Sequence, residues 1–342
     1  MKKLALLFSL FILSVMPIMA QDEVVVVEEE ETEGGLSISG SVDTYFKYDF
    51  SGYENIPTSF ANEQNSVSLG MIDLVLEQTV GKASFVGEIS FGPRNEQSVY
   101  GFNIQNLYVS YALTDKLSLT GGYMGTFVGY EVISPAGNFN YSTSYLFTNG
   151  PFQNAGIKAD YAFSDRVALM VGLFNDWNVT QDMNGVSDLG AQLYVAPVIG
   201  WDVYLNVITG SRDFDGSVGS TTEFDITTGY QITDAFYLGL NFAKAISKLK
   251  DSDDEAGFTG LALYPQYAFN DAVALGMRYE NFTWKDGTNY NSFTFTLPIK
   301  SGPLTFIPEF RLDTADEDEF LDKDMQLTGS ASQFLLAAVY AF

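Results

Sequence analysis

Residues 36–50 read LSISGSVDTYFKYDF. Ile38, Val42, Phe46, Tyr48 and Phe50 share one parity of this stretch, and Ser37, Ser39, Ser41, Asp43, Lys47 and Asp49 share the other. Tyr45 is the one aromatic on the polar side. A period of two gives a strand one apolar and one polar face, because successive Cβ atoms point to opposite sides of the pleat. At the far end Phe334, Leu336, Ala338, Tyr340 and Phe342 keep the same step. Between them the alternation recurs, and we read sixteen strands at about 36–50, 66–80, 82–91, 102–113, 116–125, 152–163, 166–178, 187–199, 201–212, 221–232, 235–247, 257–269, 272–284, 290–300, 303–312 and 329–342.

The breaks between these segments alternate in length. Gly81, Thr114-Asp115, Ser164-Asp165, Gly200, Thr233-Asp234, Asn270-Asp271 and Ser301-Gly302 are one- or two-residue breaks of turn-forming type. Four of them reuse one local design, YALTD from Tyr111, YAFSD from Tyr161, YQITD from Tyr230 and YAFND from Tyr267. The intervening breaks are longer and polar: 51–65, 92–101, 126–151, 179–186, 213–220, 248–256, 285–289 and 313–328. Short turns on one side and long loops on the other imply an all-β fold, a transmembrane antiparallel up-and-down β-barrel of about sixteen strands. A soluble sandwich or propeller also alternates, but needs neither this two-sided asymmetry nor such aromatic faces. Trp177, Trp201, Trp284 and many Tyr near strand ends fit the girdles at headgroup level.

Composition excludes several functions. The 342 residues carry 17 Lys and Arg against 43 Asp and Glu, a net charge of −26, so no basic face is offered to nucleic acid. The absence of His and Cys removes disulfides, thiolate chemistry, His-ligated zinc and the Ser-His-Asp and Cys-His nucleophiles. No cofactor or metal is implied, and an enzyme is disfavoured. Residues 1–20 read as a secretory signal peptide, with Lys2 and Lys3 before an apolar run and Ala20 at the cleavage position. A single membrane anchor is the alternative, but the run is short for one. Residues 21–35 carry seven acids and no base and read as an acidic periplasmic tail, either a linker or a partner-binding segment. The barrel is then 36–342.

Residues 121–178 carry a more specific signal. Gly122, Thr126, Gly129 and Glu131 stand at the mouth of the longest loop, Asn140, Tyr141, Ser142 and Ser144 lie within it, and Pro151, Gly156, Asn175 and Trp177 follow it. In these positions the chain resembles the OmpL-like β-barrel porin family of Gram-negative outer membranes. The resemblance implies an outer-membrane barrel enclosing a pore, and carries over no established binding residues.

Sixteen strands enclose a lumen too wide for side chains alone to fill, which favours a channel. Loop 126–151 has Glu131 as its sole charge and is rich in Asn, Ser, Thr, Tyr and Phe, a composition suited to packing inside the barrel rather than capping its surface. Parity places Glu131, Lys158, Asp160, Glu223, Asp225, Arg278, Glu280, Glu309 and Arg311 as pore-lining candidates. Pairs such as Arg278/Glu280 and Glu309/Arg311 share a face. They either stabilise the wall or, with Glu131 facing Arg278 and Arg311 across water, set a transverse field on passing solutes. The acidic clusters at 251–255 and 313–324 read as a solvated rim, with divalent cations bridging to lipid phosphates as the alternative. Expected partners are outer-membrane lipid, lipopolysaccharide and small hydrophilic solutes, with monomer and homotrimer both open. The function expected is passive diffusion with weak cation preference; a non-transport adhesin or docking scaffold is the alternative.

Overall fold

The computed structural model describes residues 34–98, 102–182, 185–211, 218–250 and 253–342. The signal-peptide reading of 1–20, nearly all of the acidic tail and part of the loop after Ser211 lie outside them. Sixteen antiparallel strands close into one barrel: β1 (Ser37–Asp49), β2 (Ser66–Val80), β3 (Ala83–Phe91), β4 (Ile104–Ala112), β5 (Leu117–Gly125), β6 (Gln153–Ser164), β7 (Val167–Phe174), β8 (Asp188–Val198), β9 (Trp201–Ser211), β10 (Val218–Gln231), β11 (Phe236–Leu249), β12 (Glu255–Asn270), β13 (Val273–Trp284), β14 (Asn289–Thr296, resumed as Ile299–Ser301), β15 (Leu304–Ala315) and β16 (Ser330–Ala341). Each strand pairs with its sequence neighbours, and β1 pairs with both β2 and β16. Gly40 and Phe342 exchange two 3.0 Å backbone hydrogen bonds at the seam. Closure leaves no unpaired edge, the condition for a sheet in hydrocarbon.

Parity decides which face meets lipid. Ile38, Val67, Leu107, Val109, Ile157 and Leu173 are exposed on the outside, while Asp43, Lys47, Asp225, Arg278, Glu280 and Arg311 are buried on the inside. Three of the two-residue turns need a left-handed backbone at one position, and Gly81, Gly200 and Gly302 supply it with φ of 62°, 79° and 60°.

The departures from the expected strands have local causes. Strand β7 stops at Phe174, because the backbone beyond it turns to bond the start of β6, Asn175 N to Ala155 O at 2.8 Å and Asn178 N to Gln153 O at 3.1 Å. Strand β14 breaks at Leu297-Pro298, where proline has no N–H to give the ladder. Strand β15 runs on to Ala315, and the loop after it holds a small hairpin pairing Phe320–Leu321 with Leu327–Thr328.

Candidate functional site

The loop joining β5 to β6 folds into the lumen. A loop inside a barrel carries backbone N–H and C=O groups with no sheet partner, and each must be satisfied. The wall meets these needs with charge. Glu280 accepts from Tyr145 N at 2.9 Å and Leu146 N at 2.8 Å. Those are free N–H groups at the start of the short helix α1 (Tyr145–Asn149), whose N-cap Ser144 accepts from Phe147 N at 3.0 Å. Glu309 accepts from Tyr141 N and Ser142 N at 3.0 and 3.2 Å, and Asp225 from Gly129 N at 3.2 Å. Cations take the carbonyls: Arg278 donates to Ser142 O at 2.6 Å and Thr143 O at 3.2 Å, and Arg311 to Thr143 O at 2.8 Å.

Strand register puts these groups side by side. Arg278, Thr294 and Arg311 form one inward-facing row across β13, β14 and β15; Glu280, Ser292 and Asp313 form the next row, and Gly276, Thr296 and Glu309 the row on the other side. Arg311 is thus flanked along its strand by Glu309 and Asp313, and Arg278 by Glu280 on one side and Gly276 on the other. Arg311 makes a two-pronged bond to Asp313 at 2.8 and 2.9 Å. Arg278 reaches Glu131 at 2.7 Å, with side chains 0% and 5% exposed, and Glu131 also accepts from Ser144 N and Oγ at 2.8 and 2.9 Å. One of the two sequence readings has the charged pairs stabilise the wall, and the other sets Glu131 across a constriction from the two arginines. The gap is closed to direct contact with Arg278, since the lone charge of the loop is more stable paired than left buried by itself.

Glycines on the wall receive the loop's larger side chains. A Cβ at Gly239 would strike the Tyr130 ring, at Gly276 the Phe139 ring, at Gly260 the Leu146 side chain, and at Gly190 the Phe127 ring. Four loop side chains therefore lie over four wall positions that have none. Tyr130 stacks on Tyr264 with ring centres 4.2 Å apart, and Tyr145 on Tyr290 at 4.9 Å. Burial raises the phenols of Tyr130, Tyr141 and Tyr145 well above their ordinary range, so they remain protonated donors. The Tyr141 hydroxyl donates to Asp43, and the Tyr145 hydroxyl to Asp313 at 2.7 Å.

Of the nine candidates, Glu131, Arg278, Glu280, Glu309 and Arg311 come together against the loop, and Asp225 joins it at Gly129. Glu223 is buried with its carboxylate beside Gly150, on the loop's return. Lys158 and Asp160 stand apart from this group on β6. They pair at 3.3 Å with side chains 27% and 23% exposed. Arg94, on a short helix in the loop after β3, was not among the candidates. It donates to Ile133 O at 2.9 Å and Tyr141 O at 3.1 Å, with its guanidinium 4.7 Å from the Phe60 ring centre and 4.9 Å from that of Tyr141. Its signal in sequence is that it is the sole base in the first three long loops. Residues 56–61 of the loop after β1 also fold inward, Thr58 accepting from Arg311 at 3.1 Å and Ser59 N donating to Thr148 at 2.8 Å.

Solved structures share this architecture. An anion-selective porin from Comamonas acidovorans aligns over 91% of this chain and 100% of its own, with a TM-score of 0.66 at 13% identity. OmpT of Vibrio cholerae aligns over 91% and 98% (TM-score 0.58, 14% identity), and Salmonella typhi OmpF over 91% and 98% (TM-score 0.60, 13% identity). At such identities the likeness shows the fold. No curated relative matches the chain. The family described as "Putative beta-barrel porin-2, OmpL-like" matches residues 35–342, the whole of the described barrel. This chain belongs to that OmpL-like porin family, the barrels of which reside in the outer membrane.

Proposed function

We propose that the protein is a passive diffusion pore for small hydrophilic solutes and ions, restricted by the β5–β6 loop and weakly selective for cations. The observation that carries this reading is the loop's placement. It is bound by buried charges to β1, β2, β10, β13 and β15, while charged side chains on the inner face of β2, β3, β6 and β9 stay partly open to water. Among the described residues, the partly exposed acidic and basic side chains on that inner face are Glu77, Glu88, Asp160 and Asp202 against Lys158. An excess of fixed negative charge along a path favours cations over anions.

Two roles divide the candidates. Lys158 and Asp160 line the path, and Glu131, Glu223, Asp225, Arg278, Glu280, Glu309 and Arg311 hold the loop and so set the width. The channel reading is preferred to an enzyme, since the chain lacks His and Cys altogether. Reversal potentials across a planar bilayer in a tenfold KCl gradient test the proposal, alongside liposome swelling with sugars of graded size. Permeation with a cation-sign potential is expected. A folded, heat-modifiable barrel that passes neither ions nor sugars would refute the pore and leave a scaffold or adhesin.

A further inference from the structure

The outer face of the barrel carries one charged patch that the pore does not use. The chain is strongly acidic, yet Lys244 and Lys248 of β11 and Lys285 just after β13 gather, all exposed, at the long-loop end of adjacent strands. Register accounts for the cluster. Lys248 stands opposite Glu255, Ile246 opposite Gly257, and the Gly257 carbonyl accepts from Lys285 N at 2.9 Å. Lys244, Thr259, Thr283 and Asn289 then form one outward row across β11 to β14, and Phe242, Leu261, Asn281 and Asn291 form the next row towards the membrane centre. A cleft of about 90 Å³ opens at this point, lined by Lys244, Ile246, Thr259, Thr283 and Lys285 among others.

Charge is left over on this strand face, with Asp253, Asp254 and Asp286 standing beyond it in the bordering loops. Lys285 pairs with Glu255 at 2.7 Å, and that one carboxylate lies in the field of all three lysines. Neither Lys244 nor Lys248 has a hydrogen-bonded or ion-paired partner among the described residues. Glu255 is also the one acid on the outward parity of the described strands. Lysine on that parity destabilises a barrel at hydrocarbon depth, whereas at headgroup level its long stem carries the ammonium to anionic phosphate.

We propose that this patch binds the phosphorylated sugar headgroup of an outer-leaflet glycolipid. Phosphate sits among Lys244, Lys248 and Lys285, sugar hydroxyls meet Thr259, Thr283 and the asparagine amides, and acyl chains run down over Phe242 and Leu261. A second copy of this chain is a poorer occupant, because the outward faces of the other described strands carry no acid to meet the lysines.

Native mass spectrometry of the folded full chain in detergent, titrated with bisphosphorylated lipid A, tests the site. The Lys244→Gln/Lys248→Gln/Lys285→Gln variant should bind at least tenfold more weakly, from the loss of three headgroup-level cations. A Lys82→Gln/Lys116→Gln/Arg166→Gln variant, which removes as many charges from the short-turn rim, should bind as the unmodified chain does. Heat-modifiable gel mobility establishes that both variants are folded. Equal binding by the two variants, or undiminished binding of dephosphorylated lipid A, overturns the proposal. Displacement of lipid A by inorganic phosphate at matching concentration would make free phosphate the ligand and overturns it too. So does a lysine variant that loses self-association while keeping its lipid A affinity, since the patch would then serve a second copy.

Discussion

Replacing Arg278 by glutamine asks whether the wall holds the loop. The Arg278 side chain is fully buried and that of Glu131 is 5% exposed, so water cannot take over the charge that either loses. Arg278 also satisfies the Ser142 and Thr143 carbonyls. Removing one partner of a buried pair costs about 3–5 kcal/mol, chiefly through the charge left behind. That moves the ratio of docked to undocked loop by roughly 10²–10⁴-fold. Arg278→Gln should therefore raise and destabilise single-channel conductance in planar bilayers, and should admit proteinase K to residues 126–151 from outside proteoliposomes. Arg278→Met combined with Glu131→Leu removes both charges and keeps apolar volume, an exchange that is often near neutral in buried pairs. The double variant should lie closer to the unmodified channel than the single one. If Arg278→Gln left conductance and protease resistance unchanged, or if the double variant freed the loop more than the single, the anchoring argument would fail.

Gly276→Leu places a side chain where the Phe139 ring lies. Overpacking of this kind costs about 1–3 kcal/mol, so conductance should rise while heat-modifiable mobility persists. Asp160→Lys with Glu88→Gln reverses charge on the open inner face, and the reversal potential in a KCl gradient should move towards anions; no movement would remove these residues from the path. Val109→Arg, on the lipid face of β4, should lower stability by about 2–4 kcal/mol in urea titrations of the vesicle-embedded barrel. Ser110→Arg, one residue on and facing the lumen, should change it far less.

Period two made the barrel legible. It located all sixteen strands, and the tiny YxxxD-type turns fixed the side on which the chain reverses. The same parity placed Arg278, Glu280, Glu309 and Arg311 on the inner wall, but parity states only the direction of a side chain. It is silent on what stands opposite, so a water gap and a docked loop looked alike. What decided between them was the backbone of residues 129–146, whose N–H and C=O groups need partners that only the wall can offer. One trace of that docking did show in sequence. Tyr45 broke the polar parity of β1 because its ring packs 5.6 Å from that of Tyr141, and its hydroxyl accepts from Glu63 N at 3.1 Å. Arg94 could be suspected only as the lone base of three loops, since its partners are backbone carbonyls with no sequence signature.

The central claim is that the barrel conducts with its loop docked. Asn140 on the loop donates to Thr296 on the wall at 2.6 Å, and the chain contains no Cys, so Asn140→Cys with Thr296→Cys allows the two to be joined cleanly. Conductance of this double variant across a planar bilayer, before and after oxidation, is the direct measurement. The account predicts that the disulfide forms readily and that the oxidised channel conducts as the unmodified one does. A pair that refuses to join, or a channel silenced by oxidation and restored by reduction, would contradict it.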